Sequence, residues 1–428
     1  MFRPLLSCAA LIASLWCLAQ GPAVHQVFVL SEGYYDYFNG GGQLVPVTLG
    51  SYDPVSGAYS TVATITGPRF GSDVLVDEGV VFVAADDRVM SFDPDTYQPL
   101  DEAMVAGVRK LAIWGDALLI TRGELGGLSH YFEARDKNTL DLLWTIDPAD
   151  GLTMSAEDVL VIGDKAYLAV NNAFDWSNLA GKLGEVDLIA QTYGNEVVLG
   201  ADGLNPEKLF VRDGDVMAFC NNDFSRSSIS RVGVGAAPSL QYTTVVAENS
   251  GCAASALVEA ENKVYFLEYA QNELVRFDVA SASVTDTLSG SPSVYGLIED
   301  PINGVIYATT TDFFSAGDFH VLGLDGQVIS SVPAAVGCGN MALDIRLSTG
   351  IAAPRPAPIY AFPNPASDEL FITLPAAASL SILDAQGRLV MQESTRGIGP
   401  SRIGIAHLPA GIYTLRVDGH GSMRFAKH

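Results

Sequence analysis

Short apolar runs separated by polar breaks recur along most of this chain, and the clearest copy is Ala260 to Gly290, AENKVYFLEYAQNELVRFDVASASVTDTLSG. A turn at Ala260 to Asn262 leads into KVYFLEY, a break at Ala270 to Asn272 into the alternating ELVRFDV, and a break at Ala280 to Ser283 into VTDTL. Short segments of this kind, bounded by small and polar turn residues, predict three antiparallel strands. SALVEA, just upstream, adds a fourth. Four strands in about 40 residues, repeated end to end, are the pattern of a β-propeller.

The unit returns from Ser72 (DVLVDEG, VVFVAAD, RVMSFDPDT, LDEAMV), from Val108, from Ser155, from Asn205 and from Ser293. An incomplete copy opens with VHQVFVLSEG, which matches a second strand and has no first strand before it. GCGNMALDIRLS, after the last unit, reads as a first strand with nothing following. Asn340 to Leu347 is therefore expected to complete the blade begun by Val24 to Glu32, giving seven blades and a seam without a free sheet edge. The fold class is all-β.

The first residues, MFRPLLSCAALIASLWCLAQ, combine one basic residue, a short apolar run and a small-residue exit. They read as a secretory signal peptide cleaved after Ala19. No second apolar run reaches the ~18 residues of a membrane span, so an integral membrane protein is not expected. The propeller is assigned to 20–348. A Pro/Ala linker, TGIAAPRPAP, follows at 349–358, and several short strands over 359–428 suit a small Ig-like β-sandwich.

Charge separates the two parts. Residues 20–354 hold 16 Lys and Arg against 44 Asp and Glu, whereas residues 355–428 hold 7 against 5. So acidic a main domain repels phosphate backbones and anionic lipid, which excludes nucleic acid as a partner.

The tail carries a family resemblance. FPNPASDELFI with Pro363, Asn364 and Pro365, then LDAQGRLV with Gly387 and Arg388, then LPAGIYTLRV with Gly411 and Tyr413, and a terminal basic stretch resemble the C-terminal sorting domain of type IX secretion substrates in Bacteroidota. The resemblance implies handling by the type IX machinery and passage through the periplasm to the outer surface or the medium. VFVLSEG, NPEKL, the segment from Asp300 and GCGNM are similar to YncE-like surface propellers, some of which bind corrinoids. Those usually read LNEG where this chain has LSEG.

Propeller geometry places the loops joining second to third strands on one face. There the chain offers Tyr34, Tyr35, Asp36, Tyr37 and Phe38 in blade one, Phe174, Asp175 and Trp176 in blade four, Phe224 in blade five, Tyr269 in blade six, and Asp312, Phe313 and Phe314 in blade seven. Aromatic faces interspersed with carboxylates suit a flat or amphipathic ligand, and the resemblance to YncE-like propellers implies a corrinoid as the first candidate, with a glycan second. The alternative assignment is to blade packing and turns.

Catalytic signals are sparse: His25, His130 and His320 show no metal-binding spacing, and no nucleophile elbow, P-loop or cofactor motif occurs. Asp73, Glu157, Asp158, Asn205, Glu207 and Asn340, at the starts of inner strands, are the positions a metal-dependent propeller hydrolase or lactonase would use. A structural or adhesive surface protein is the third reading. Of the cysteines left after Ala19, Cys220 and Cys252 are expected to pair in an oxidising compartment, with Cys338 free or competing. Aspartates in the outer hairpins, such as Asp93, Asp136 and Asp278, read as turn makers.

Overall fold

The computed structural model describes residues 21–38, 41–222, 225–248 and 254–347, and in the tail residues 360–362, 364–374, 379–384, 388–394, 399–417 and 421–428. The expected signal peptide and linker lie outside the described residues. Gly21–Leu347 forms one compact unit, and the segment after it belongs to another.

Among the described residues, Gly21–Leu347 builds seven four-stranded antiparallel sheets. In sheets two to seven the innermost strands are Asp73–Asp77, Val108–Trp114, Ala156–Ile162, Pro206–Arg212, Ser255–Val258 and Gly296–Asp300, each paired outward with the next three strands in sequence. Sheet one is the exception. Its innermost strand is Cys338–Leu347, paired with Pro22–Ser31, then Val47–Asp53 and Ala58–Ile65. Val27 lies opposite Leu343 and Val29 opposite Met341, so backbone hydrogen bonds join the two ends of the unit. Each innermost strand touches the next around a closed ring, and Cys338–Leu347 touches both Gly296–Asp300 and Asp73–Asp77. This is a β-propeller.

Strand alternation explains how the sheets adhere. Successive side chains point to opposite faces. On Val80–Ala85, Val81 and Val83 pack toward sheet one with Phe28 and Leu30, whereas Phe82 and Ala84 pack toward sheet three with Leu118 and Ile120. Both faces of a sheet are thus buried, so these second strands read as continuous apolar runs. The hairpin aspartates make turns, as Asp93 Oδ1 accepting from Thr96 N (2.7 Å) and Asp278 Oδ1 accepting from Ser281 N (2.7 Å) show.

The same parity sets the direction of Cys220, one of the two cysteines expected to pair. Cys220 is a free, fully buried thiol. On its strand, Val216, Ala218 and Cys220 face Tyr167 and Ala169 of sheet four, while Met217 and Phe219 face sheet six. Cys220 therefore points away from the sheet that follows Cys252, which itself lies outside the described residues. Cys338 is also free and buried, against Tyr307 and Phe319.

In the tail, strands Tyr360–Phe362, Glu369–Leu374 and Gly399–Gly404 form one sheet. Leu389–Ser394, Ser379–Leu383, Gly411–Val417 and Gly421–Lys427 form another, and the two share a core of Leu370, Ile382, Ile403, Leu415 and Phe425.

Candidate functional site

The innermost strands surround a cavity of about 780 Å³ on the propeller axis, within the range of ligand sites. Its charged lining comes from neighbouring strand starts, and cations alternate with carboxylates. Arg109 of sheet three makes a bidentate pair with Glu157 of sheet four, Nε to Oε2 at 2.8 Å and Nη2 to Oε1 at 2.7 Å. Its guanidinium sits near two rings, Phe70 at 5.7 Å and Phe174 at 5.5 Å. Lys110 Nζ donates to Ser72 O (2.6 Å) and Asn340 Oδ1 (2.7 Å), and lies 3.7 Å from Asp73. Lys208 Nζ stands 3.8 Å from Asp158, whose attraction holds the ammonium above its ordinary pKa. Burial pushes the Asp73 carboxyl upward.

Carboxylates of the adjoining sectors have neutral partners. Glu207 Oε1 accepts from Asn221 Nδ2 (3.0 Å) and Asn205 Nδ2 (3.2 Å). Glu32 accepts from the Tyr295 hydroxyl, and burial raises its pKa. Glycine makes room for that contact: a Cβ on Gly339 would meet the Tyr295 ring at 2.7 Å, and one on Gly296 would strike the Gly339 carbonyl. Among the described residues, no three His, Cys, Asp or Glu gather as a metal-holding group.

Beside the cavity, the aromatic loops of sheets one and seven meet. Tyr34 packs edge-on against Phe314 with ring centroids 5.3 Å apart, and Phe313 against Tyr295 at 4.8 Å. Phe313 adopts φ +67°, a left-handed conformation unusual for a bulky residue. Asp312 holds that turn by accepting from Phe314 N (2.9 Å) and Ser315 N (2.7 Å).

In the tail unit, the motif residues are structural ties. Asn364 Oδ1 accepts from Ala426 N at 2.9 Å, fixing the last strand to the start of the unit. Arg388 Nε donates to Asp384 Oδ2 at 2.7 Å across the turn, and the Tyr413 hydroxyl donates to Pro409 O at 2.8 Å. Pro365 follows Asn364 through a cis peptide bond, Gly411 starts the strand that carries Tyr413, and Pro363 and Gly387 lie outside the described residues.

Residues 360–427 match the family described as the secretion system C-terminal sorting domain. The tail is a type IX sorting domain. The sorting domain directs export to the outer surface or release from the cell. No curated protein matches the chain. Among solved structures, the periplasmic gluconolactonase PpgL of Pseudomonas aeruginosa is similar with a TM-score of 0.53 at 12% identity, over 75% of this chain and 100% of its own. Hydrazine synthase of Kuenenia stuttgartiensis gives 0.49 at 10%, over 68% and 90%. The Cps50 (Swd1) β-propeller domain of Myceliophteria thermophila gives 0.48 at 10%, over 66% and 94%. At such identities the gluconolactonase likeness is one of fold alone.

Of the described aromatic residues expected to form the site, only Phe174 lines the cavity. Tyr34, Phe313 and Phe314 come together, and Tyr35 packs on Tyr37 at 4.8 Å within its own hairpin. Phe38, Trp176 and Tyr269 are exposed and do not line it. Asp36 and Asp175 serve their own turns, accepting from Phe38 N (2.9 Å) and Ser177 Oγ (2.7 Å). Phe224 lies outside the described residues. Of the inner-strand residues considered for a hydrolase, Asp73, Glu157, Glu207 and Asn340 do line the cavity. Phe70, Arg109, Lys110, Lys208, Ser255 and Tyr295 were missed. Their signal was positional, because each sits at the entry to an innermost strand, the second set of loops that shares the axial mouth.

Proposed function

We propose that the mature protein is an exported, seven-bladed, YncE-like propeller that binds a small polar ligand in its axial cavity, followed by an Ig-like sandwich that serves as the sorting signal. In this reading the signal peptide ends at Ala19, and Tyr34, Phe313 and Phe314 form an aromatic lip beside the mouth. The carrying observation is the cavity: about 780 Å³, walled by the rings of Phe70, Phe174 and Tyr295 and by paired charges on consecutive strands. Matched pairs such as Arg109–Glu157 hold their side chains in one geometry, which favours recognition of a fixed shape. Ion pairing occupies Asp73, Glu157 and Asp158, three of the carboxylates that metal-dependent hydrolysis would need, so binding is the better-supported role.

The test is a thermal-shift and calorimetric screen of the mature protein against corrinoids, neutral and charged saccharides and amines. Ala173 lines the mouth, and Ala173→Trp narrows it. A ligand that binds the parent and is lost in Ala173→Trp, with melting unchanged, supports the reading. Ligands that bind both proteins equally overturn it.

A further inference from the structure

Resting on the axial-cavity reading, we infer that the cavity takes a neutral, hydroxyl-rich ligand, a sugar, through a subsite of Asn171, Glu207 and Ser255 beside Phe174. All four residues line the cavity. Asn171 is 1% exposed, and its Oδ1 accepts from Ala173 N at 3.2 Å. That bond fixes the amide orientation, so the end of this lining residue left for a ligand is the Nδ2 donor. Nδ2 is buried without a partner in the protein. The Ser255 hydroxyl, on a residue 5% exposed, is likewise buried and unpartnered. Buried polar groups of this kind are uncommon, and they call for a hydrogen-bonding ligand or solvent.

The donor and acceptor inventory selects the class. Asn171 offers N–H donors, Glu207 is an acceptor steered by the two asparagine amides behind it, and Ser255 serves as either. An ammonium ligand offers no acceptor to Asn171. An anion would face more carboxylates than cations, since Glu32, Asp73, Glu157, Glu207, Glu259 and Glu299 line the cavity against Arg109, Lys110 and Lys208, and each cation already has a carboxylate beside it. A hydroxyl both donates and accepts, so one can serve Asn171 and Glu207 together. The Phe174 ring, stacked near Arg109, supplies an apolar surface for the C–H face of a sugar ring.

The experiment titrates the mature full chain by calorimetry with neutral mono- to tetrasaccharides. Uronic-acid oligosaccharides, amino-sugar oligosaccharides and cyanocobalamin are run in parallel. A neutral saccharide should bind with Kd of ~1 mM or tighter. Asn171→Asp, which replaces the donor by an acceptor, should weaken it at least tenfold, and the near-isosteric Ser255→Ala should weaken it several-fold with an unchanged melting temperature. Binding only of a charged probe or the corrinoid, abolished by Ala173→Trp, overturns the sugar assignment and leaves the cavity reading standing. Sugar binding untouched by Asn171→Asp and Ser255→Ala overturns the subsite, and no binding by any neutral saccharide overturns the inference outright.

Discussion

Lys110 of sheet three reaches past sheet two to the strand that closes the ring, placing its Nζ 2.7 Å from Asn340 Oδ1 and 2.6 Å from the Ser72 carbonyl. Three consecutive sheets are tied at the axis by one ammonium, at the seam where the two ends of the propeller unit meet. A hydrogen bond to a charged group contributes roughly 1.5–3 kcal/mol. Asn340→Ala should therefore lower the unfolding free energy by about that much and shift the denaturant midpoint down accordingly, and Asn340→Asp should restore both by giving Lys110 a carboxylate. An unchanged midpoint in Asn340→Ala would show that the ammonium is satisfied by Ser72 and Asp73 alone.

Glu32 gives the propeller a pH dependence of defined sign. Burial raises its carboxyl pKa above the ordinary 4.5, outweighing the Tyr295 hydrogen bond and the attraction of Arg109 and Lys110. The native state then holds this proton more tightly than the unfolded chain. Its contribution to stability is full below the ordinary carboxyl range and falls as pH rises through the raised value. Glu32→Gln removes that titration while keeping an acceptor for Tyr295. Melting temperatures of variant and parent should be close at pH 4 and diverge in favour of the variant at pH 7. A gap constant with pH would contradict the assignment.

Cys220 and Cys338 should be chemically silent in the folded protein. Burial pushes both thiols up to about 12, so at pH 8 about one in 10⁴ is ionised. An aqueous thiol reagent should label neither until denaturant is added, and both should then react without a reductant. Cys220 unreactive in denaturant alone and labelled only after reduction would establish the bridge to Cys252.

Removal of the sorting domain separates folding from delivery. The propeller core and the tail core contain no residue in common. A chain ending at Pro358 should keep the melting temperature of the propeller and accumulate in the periplasm. Its appearance outside the cell at parental levels would mean that another signal drives export.

What the sequence determined is whatever repeats locally. Short apolar runs, turn aspartates and a second strand without a first were enough to place the sheets and to pair Val24–Glu32 with Asn340–Leu347 across the length of the propeller, because each copy repeats the same short runs bounded by turn residues. The sorting tail was legible for another reason: it carries three short motifs in order along the chain, in which Asn364, Arg388 and Tyr413 each make one structural tie. Ring closure decided the rest. It brought Arg109 to Glu157, Lys110 to Asn340 and Tyr295 to Glu32, pairs whose partners stand on different sheets and share no pattern along the chain. It also turned Cys220 away from the sheet that follows Cys252, since side-chain direction on a buried strand depends on register, and one residue of register exchanges the two neighbours. The aromatic loops were visible as composition. Only the axial convergence of seven strands showed that Phe174 lines the cavity while Trp176, two residues on, faces solvent.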